Sequence, residues 1–175
     1  EGAVYHMYQD IKGLVSVGIG NLIEPIQLGW SYPWRRKDGS LASQSEYIAE
    51  WQLINSKPEL AKEGWTSATK YCVLHLSKED VETLCYAKMD SNEVHLKHRI
   101  PEFDALPADA QLMLHSWAWA VGPAAKYPQM IRLINAKAFG AAANECDINP
   151  KVGTIILRNA ANRQLLMNAQ WQKDN

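Results

Sequence analysis

The first twenty residues bring together the groups whose types and spacing could do chemistry. Carboxyl groups stand at Glu1 and Asp10, a hydroxyl stands at Ser16, and two glycines follow at Gly18 and Gly20. Hydrolysis of a glycosidic bond needs such a set, because one carboxylic acid protonates the leaving oxygen while a second carboxylate activates water or attacks carbon. An inverting enzyme holds the two carboxyl groups roughly 6.5–9.5 Å apart to admit the water. The residue types therefore favour acid-assisted hydrolysis of a sugar–oxygen bond.

Each of these residues also has a purely structural interpretation. Asp10 could cap or brace a turn, as Asx side chains often do. Gly18 and Gly20 could serve only the tight geometry of a strand. An acid pair and a serine near a glycine-rich hairpin also occur together by chance in many folds, so the spacing of the whole set has to decide.

The element that must position these groups is a hairpin. Residues 14–17 are of β type and glycines flank them, which predicts a hairpin with Lys12 and Gly13 at or beside its turn. Residues 1–8 are predicted to be a short helix. Loop-like sequence follows over 24–43, and a polar helix is predicted over 43–56.

Helical patterns dominate the rest of the chain. A sequence typical of a capping box begins a helix at Ser77, and a further short helix is predicted within 91–105. The stretch from Pro107 to Val121 has few polar positions, which predicts a central, buried helix. Helices are also predicted from Tyr127 to Ala138 and over 153–170. We therefore predict one α+β, mainly α, domain over 1–175, with a small β-hairpin lobe (about 1–75) and a larger helical lobe (about 76–175) around a buried central helix.

The spacing of the first twenty residues resembles a known catalytic signature. The pattern Glu-Gly-x5-Tyr-x-Asp-x2-Gly-x2-Ser/Thr-x-Gly-x-Gly is similar to that of phage-type lysozymes, the muramidases that cleave peptidoglycan. The matching residues, which keep the spacing without a gap, are Glu1, Gly2, Tyr8, Asp10, Gly13, Ser16, Gly18 and Gly20. The resemblance continues more weakly through the helical lobe, whereas residues 21–75 fit poorly. It implies a lysozyme-like, two-lobed fold.

The resemblance also implies a role for each matching residue. Glu1 matches the general acid, and Asp10 matches the carboxylate that positions water or stabilises the oxocarbenium-like charge. Ser16 matches a threonine that holds the nucleophilic water. Gly18, Gly20 and Asn21 are implied to border the substrate, and Asn21 stands where the best-known members have histidine. No metal or organic cofactor is implied.

The implied activity is cleavage of the β-1,4 bond between N-acetylmuramic acid and N-acetylglucosamine. Such domains occur at the ends of larger bacterial and phage proteins, as tail lysins, endolysins or wall-degrading effectors, and an effector would have an immunity protein as partner, occupying the cleft. The chain begins at Glu1 without Met or signal peptide, so we expect a processed product or a domain of a longer protein that is secreted or delivered to the periplasm or cell wall of a target bacterium.

Two other functions stay open. The same scaffold could cleave chitosan or chitin, because fold does not fix substrate. The chain could also be a peptidoglycan-binding module without turnover.

Composition excludes several classes of protein. Lys and Arg total 18 and Asp and Glu total 19, so there is no global basic field that would favour nucleic acid. The apolar stretches reach only about ten residues, too short to span a membrane. Cys72, Cys85 and Cys146 match no zinc pattern, and no metal site is predicted.

The basic run from Arg35 to Lys37 could attract an anionic wall polymer, although such a run is more often a solvated loop.

Overall fold

The structure is a computed structural model that describes residues 2–149 and 155–175. It confirms an α+β, mainly helical architecture with a small three-stranded antiparallel sheet. The chain divides into two compact units, one running to Lys88 and the other beginning at Met89. Among the described helices, none has the length and apolar character needed to cross a membrane.

The sheet lies at the start of the chain and has the order β1-β2-β3. Strand β1 covers Val4–Gln9, β2 covers Val15–Gly18 and β3 covers Asn21–Leu22. The predicted hairpin is confirmed, with residues 10–13 in its turn. The helix predicted over 1–8 is wrong, because β-branched and aromatic side chains there pack well in a sheet and pairing with β2 fixes the extended conformation.

The first unit packs helices and a long connection against this sheet. Helix α1 (Gln44–Asn55) begins at Ser43 with a capping box and confirms the helix predicted there. Helix α2 (Leu60–Glu63) and a 3-10 helix (Trp65–Tyr71) follow. The core of this unit consists of buried apolar side chains from the sheet, from the helices and from the segments that connect them: Met7, Val15, Val17, Ile23, Trp34, Tyr47, Ile54, Leu60, Ala68, Leu74, Leu76 and Val81.

Helix α3 (Lys78–Arg99) is longer than predicted, and the boundary between the two units falls within it. Its start is confirmed, because the Ser77 hydroxyl accepts a hydrogen bond from the Asp80 N–H while the Asp80 carboxylate accepts one from the Ser77 N–H. The helix runs through the region where a separate short helix was expected, since neither glycine nor proline interrupts the sequence before Pro101.

The second unit is built from helices. Its elements are α4 (Ala108–Val121), α5 (Pro128–Asn135), α6 (Phe139–Ala142) and α7 (Ile156–Asp174). Helix α4 packs against α7 and buries one side, which includes Met113, Leu114 and Trp117. Its other side reaches solvent, where Leu112 is 56% exposed. The helix predicted over 153–170 is present from Ile156 onward, and residues 153 and 154 lie outside the described part of the chain.

Candidate functional site

The structure places one predicted carboxylate, Asp10, at the turn of the hairpin. Its Oδ1 atom accepts hydrogen bonds from the backbone N–H groups of Lys12 (2.8 Å) and Leu14 (2.9 Å). The backbone closes the same turn, because the Gly13 N–H donates to the Asp10 carbonyl and the Asp10 N–H donates to the Leu14 carbonyl, both at 2.9 Å. Asp10 therefore does brace a turn. Both of these side-chain hydrogen bonds use Oδ1, and Oδ2 accepts neither of them.

The predicted general acid, Glu1, lies outside the described residues. Its position relative to Asp10 is therefore not part of the described site.

Ser16 lies in the middle strand of the sheet, where it is opposite Tyr8 on β1 and Leu22 on β3. Pairing on both sides fixes its backbone, and the residue is only 3% exposed. A water molecule held by this hydroxyl would be largely shielded from bulk solvent.

The hairpin register brings Asp10 and Ser16 near each other. Tyr8 is opposite Ser16, and the backbone hydrogen bond from Asp10 to the Leu14 carbonyl continues the pairing into the turn. Asp10, the first residue after β1, is therefore a diagonal neighbour of Ser16, and in antiparallel strands the Cα atoms of such neighbours lie about 7–8 Å apart. The two positions are therefore neighbours in the hairpin, and the hydrogen bonds of Asp10 hold its carboxylate at the turn.

Gly18 and Asn21 form a tight connection between β2 and β3 that the fold itself requires. Gly18 has a φ of 68°, and an added Cβ there would lie 3.1 Å from Asn21 Oδ1 and 3.3 Å from Val81 Cγ1. The buried Asn21 side chain donates from Nδ2 to the Leu84 carbonyl at 3.2 Å, which ties the connection to α3. Its Oδ1 atom has no hydrogen-bond partner among the described residues. Gly20 has a φ of 76°, and its carbonyl accepts a hydrogen bond from Lys88 Nζ at 3.0 Å.

Two residues at the hairpin were missed by the sequence analysis, Glu24 and Lys88. The Glu24 carboxylate accepts a hydrogen bond from the Val15 N–H at 3.0 Å, and the Ile23 N–H donates to the Val15 carbonyl. Glu24 thus extends the pairing of β2 beyond the short β3. The sequence carries no local signal for this contact. The hydrogen bond from Lys88 to the Gly20 carbonyl likewise joins residues far apart in the sequence and has no local signal.

The basic run from Arg35 to Lys37 is mostly neutralised by carboxylates. Arg35 pairs with Asp80 at 3.6 Å, and Arg36 forms a two-pronged ion pair with Glu46. Hydrogen bonds from Arg36 and from Ser43 lower the pKa of Glu46 to about 2. Lys37 is the member of the run that keeps no carboxylate partner among the residues that the structure describes.

Glu50 on α1 is a buried carboxyl that the sequence analysis did not single out. It is 5% exposed, and its Oε2 atom accepts hydrogen bonds from the N–H groups of Val73 (2.8 Å) and Leu74 (3.0 Å). Burial raises the pKa of Glu50, although these N–H groups and the Cys72 thiol oppose the shift. Burial, with the nearby Glu50 carboxyl, also raises the pKa of Cys72 to about 12.

The described residues contain no group of three or more His, Cys, Asp or Glu side chains placed to hold a metal ion. No protein-family model matches the chain, and no curated protein matches it.

Proposed function

We propose that this chain is a catalytic domain with a lysozyme-like, two-lobed fold that hydrolyses peptidoglycan. The bond cleaved would be the β-1,4 linkage between N-acetylmuramic acid and N-acetylglucosamine. The observation that carries the proposal is the hairpin itself, because a carboxylate fixed by backbone N–H groups lies diagonally from a hydroxyl on the neighbouring strand. These two residues, Asp10 and Ser16, also stand in the spacing from Glu1 to Gly20 that resembles the lysozyme signature.

The proposed reaction uses three side chains. Glu1 donates its proton to the glycosidic oxygen as the bond to the anomeric carbon breaks. Asp10 stabilises the positive charge that develops on the sugar ring, or accepts a proton from the attacking water. Ser16 holds this water through its hydroxyl. In this reaction Asp10 would contact the sugar or the water through Oδ2. Its other oxygen, Oδ1, accepts the hydrogen bonds of the turn and so keeps the carboxylate in place.

The proposed setting is the cell wall of a target bacterium. The domain would act there as an antibacterial effector or lysin, after secretion or delivery to the periplasm. Its proposed partners are peptidoglycan strands and, for an effector, an immunity protein that occupies the cleft.

The test of this proposal is the release of new reducing ends from purified peptidoglycan, with mass analysis of the muropeptides. We expect muramic acid reducing ends from the wild type, and Glu1→Gln should lower the rate about 100- to 10,000-fold because general acid catalysis contributes that much. Glu63→Gln is the matched control, since Glu63 is exposed and lies on α2. Full activity in Glu1→Gln would rule out the assigned acid. Chitosan and chitin in parallel would detect the other glycosidase activity.

A second candidate function is a peptidoglycan-binding module without turnover. The burial of Ser16 and Asn21 favours it, because both side chains are largely withdrawn from solvent and Asn21 is bonded to α3. This function predicts sedimentation of the chain with insoluble peptidoglycan and no new reducing ends.

A further inference from the structure

A groove of about 520 Å³ lies in the first unit, between α1 and the segment 71–74. It is on a different side of α1 from the sheet. Tyr47 and Ile54 point from α1 into the core that the sheet shares, whereas Ala49 and Leu53 line the groove. The candidate site at the hairpin and the groove therefore belong to the same unit, and one helix stands between them.

The floor of this groove is apolar. Leu53 and Val73 line it and remain 42% and 60% exposed, and Ala49, Tyr71 and Leu74 complete the apolar surface. Large apolar side chains that remain exposed in one concave place favour contact with another molecule.

Three lysines lie either in the lining of the groove or beside its lining residue Tyr71, and we call them its positive rim. Lys37 lines it directly. Lys57 and Lys70 hold their Nζ atoms 4.5 Å and 5.0 Å from the centre of the Tyr71 ring. None of the three has a carboxylate partner among residues 2–149 and 155–175. The Arg36 charge at the same rim is neutralised by Glu46.

Glu50, the buried acid in the lining of the groove, is engaged with the backbone rather than with the lysines. The Glu50 carboxylate accepts hydrogen bonds from the N–H groups of Val73 and Leu74 and so fixes the segment that forms one wall of the groove. Its burial disfavours the ionised form, and its pKa is raised accordingly. The combination of an apolar floor and lysines without a carboxylate partner among the described residues is complementary to a short anionic peptide with small apolar side chains.

We propose that this groove binds the stem peptide of peptidoglycan, a site separate from the one that would cleave the glycan. Stem peptides combine alanine methyl groups with residues that carry free carboxylates, which matches both the floor and the rim. Four or five extended residues span about 13–18 Å, which exceeds the roughly 10–12 Å width of a helix such as the one that stands between the groove and the sheet. This inference rests on the proposed function, because it assigns the groove to a second part of the same substrate.

The first experiment measures binding of the free tetrapeptide L-Ala-γ-D-Glu-meso-diaminopimelyl-D-Ala by calorimetry or NMR titration. The triple variant Lys37→Gln, Lys57→Gln, Lys70→Gln should weaken binding about tenfold, since each exposed ion pair contributes a factor of a few. Lys62→Gln is the control, because Lys62 is exposed and does not line the groove. A tetrapeptide with amidated carboxylates should bind as weakly to the wild type as the free peptide does to the triple variant.

The second experiment compares intact peptidoglycan with glycan strands from which an amidase has removed the stem peptides. The triple variant should raise KM on intact peptidoglycan and leave kcat/KM on the bare strands unchanged. Absence of tetrapeptide binding, or equal loss on both substrates, would overturn the groove assignment while leaving the hydrolase proposal in place. Absence of reducing ends from the wild type on both substrates would instead contradict the proposed function.

Discussion

Two turns of this chain are built in the same way, yet only one is a candidate for catalysis. In the hairpin turn, Asp10 Oδ1 accepts the N–H groups of Lys12 and Leu14. In the loop turn, Asp38 Oδ1 accepts the N–H and the hydroxyl of Ser40. The hairpin turn leads into a strand that is buried along its whole length, whereas the loop turn leads into the exposed Ser40 and Leu41. Turn bracing alone therefore says nothing about chemistry, and what differs is the strand that follows.

The largest expected difference between the two turns is in hydrolysis. Asp10→Asn keeps an oxygen that can accept the two backbone N–H groups but removes the negative charge, so activity on peptidoglycan should fall on the order of 100-fold. Asp38→Asn should leave the rate unchanged. Reducing-end assays on both variants measure this, and equal rates for them would remove Asp10 from the proposed mechanism.

The next difference is in stability. Asp10→Ala removes the acceptor of two backbone hydrogen bonds beside a buried strand, which should lower the free energy of unfolding by about 1–3 kcal/mol. Asp38→Ala should have a smaller effect, since the groups around it are exposed and water replaces the lost hydrogen bonds. Urea denaturation of the two variants gives the comparison. A larger loss from Asp38→Ala would mean that the loop turn is the more important for the fold.

A third prediction concerns the glycines of the two turns, for which the effects on stability should be equal. Gly13 and Gly39 have φ values of 80° and 84°, and an added Cβ would contact nothing within 4 Å at either position. Alanine should therefore lower the free energy of unfolding by about 1–2 kcal/mol in both cases, through the left-handed conformation alone. Only Gly13→Ala should also reduce hydrolysis. Loss of activity in Gly39→Ala would indicate that the loop turn takes part in the reaction.

The smallest expected effect is a pH dependence at the loop turn. Hydrogen bonds from Ser40 lower the pKa of Asp38 below its ordinary value of 3.8. A carboxyl with a lowered pKa stabilises the folded state above that ordinary value, and this stabilisation is lost as the pH falls through the lowered pKa. The Tm of the wild type should therefore exceed that of Asp38→Asn slightly near neutral pH, and the two values should converge below about pH 3.8. If the two Tm values converged as the pH was raised instead, the lowered pKa assigned to Asp38 would be contradicted.

Local signals in the sequence were sufficient for the hairpin and for the starts of the helices. Glycines around a β-type run predicted the hairpin turn, and the caps at Ser43 and Ser77 are short patterns that act within one turn of helix. Strand β1 was missed because a short apolar segment reads as helix or strand until its partner is known.

Contacts between distant parts of the chain could not be predicted in this way. Glu24 reaches Val15 across the short β3, and Lys88 reaches the Gly20 carbonyl from α3. The groove is likewise assembled from α1 and the segment 71–74, which are separated by α2 and a 3-10 helix. For the candidate site, the sequence predicted the residue types and left open whether Asp10 braces the turn, and the structure shows that it does.

The burial that raises the pKa of Cys72 also lowers the reactivity of this thiol toward oxidants. With a pKa raised to about 12, the Cys72 thiol stays protonated at neutral pH, and the thiolate is the form that attacks disulfides and peroxides. Cys146, with a pKa raised to about 11, is protected in the same way. Cys72 and Cys146 should therefore react slowly with disulfides and peroxides, so oxidation of the native chain should begin elsewhere than at these two thiols.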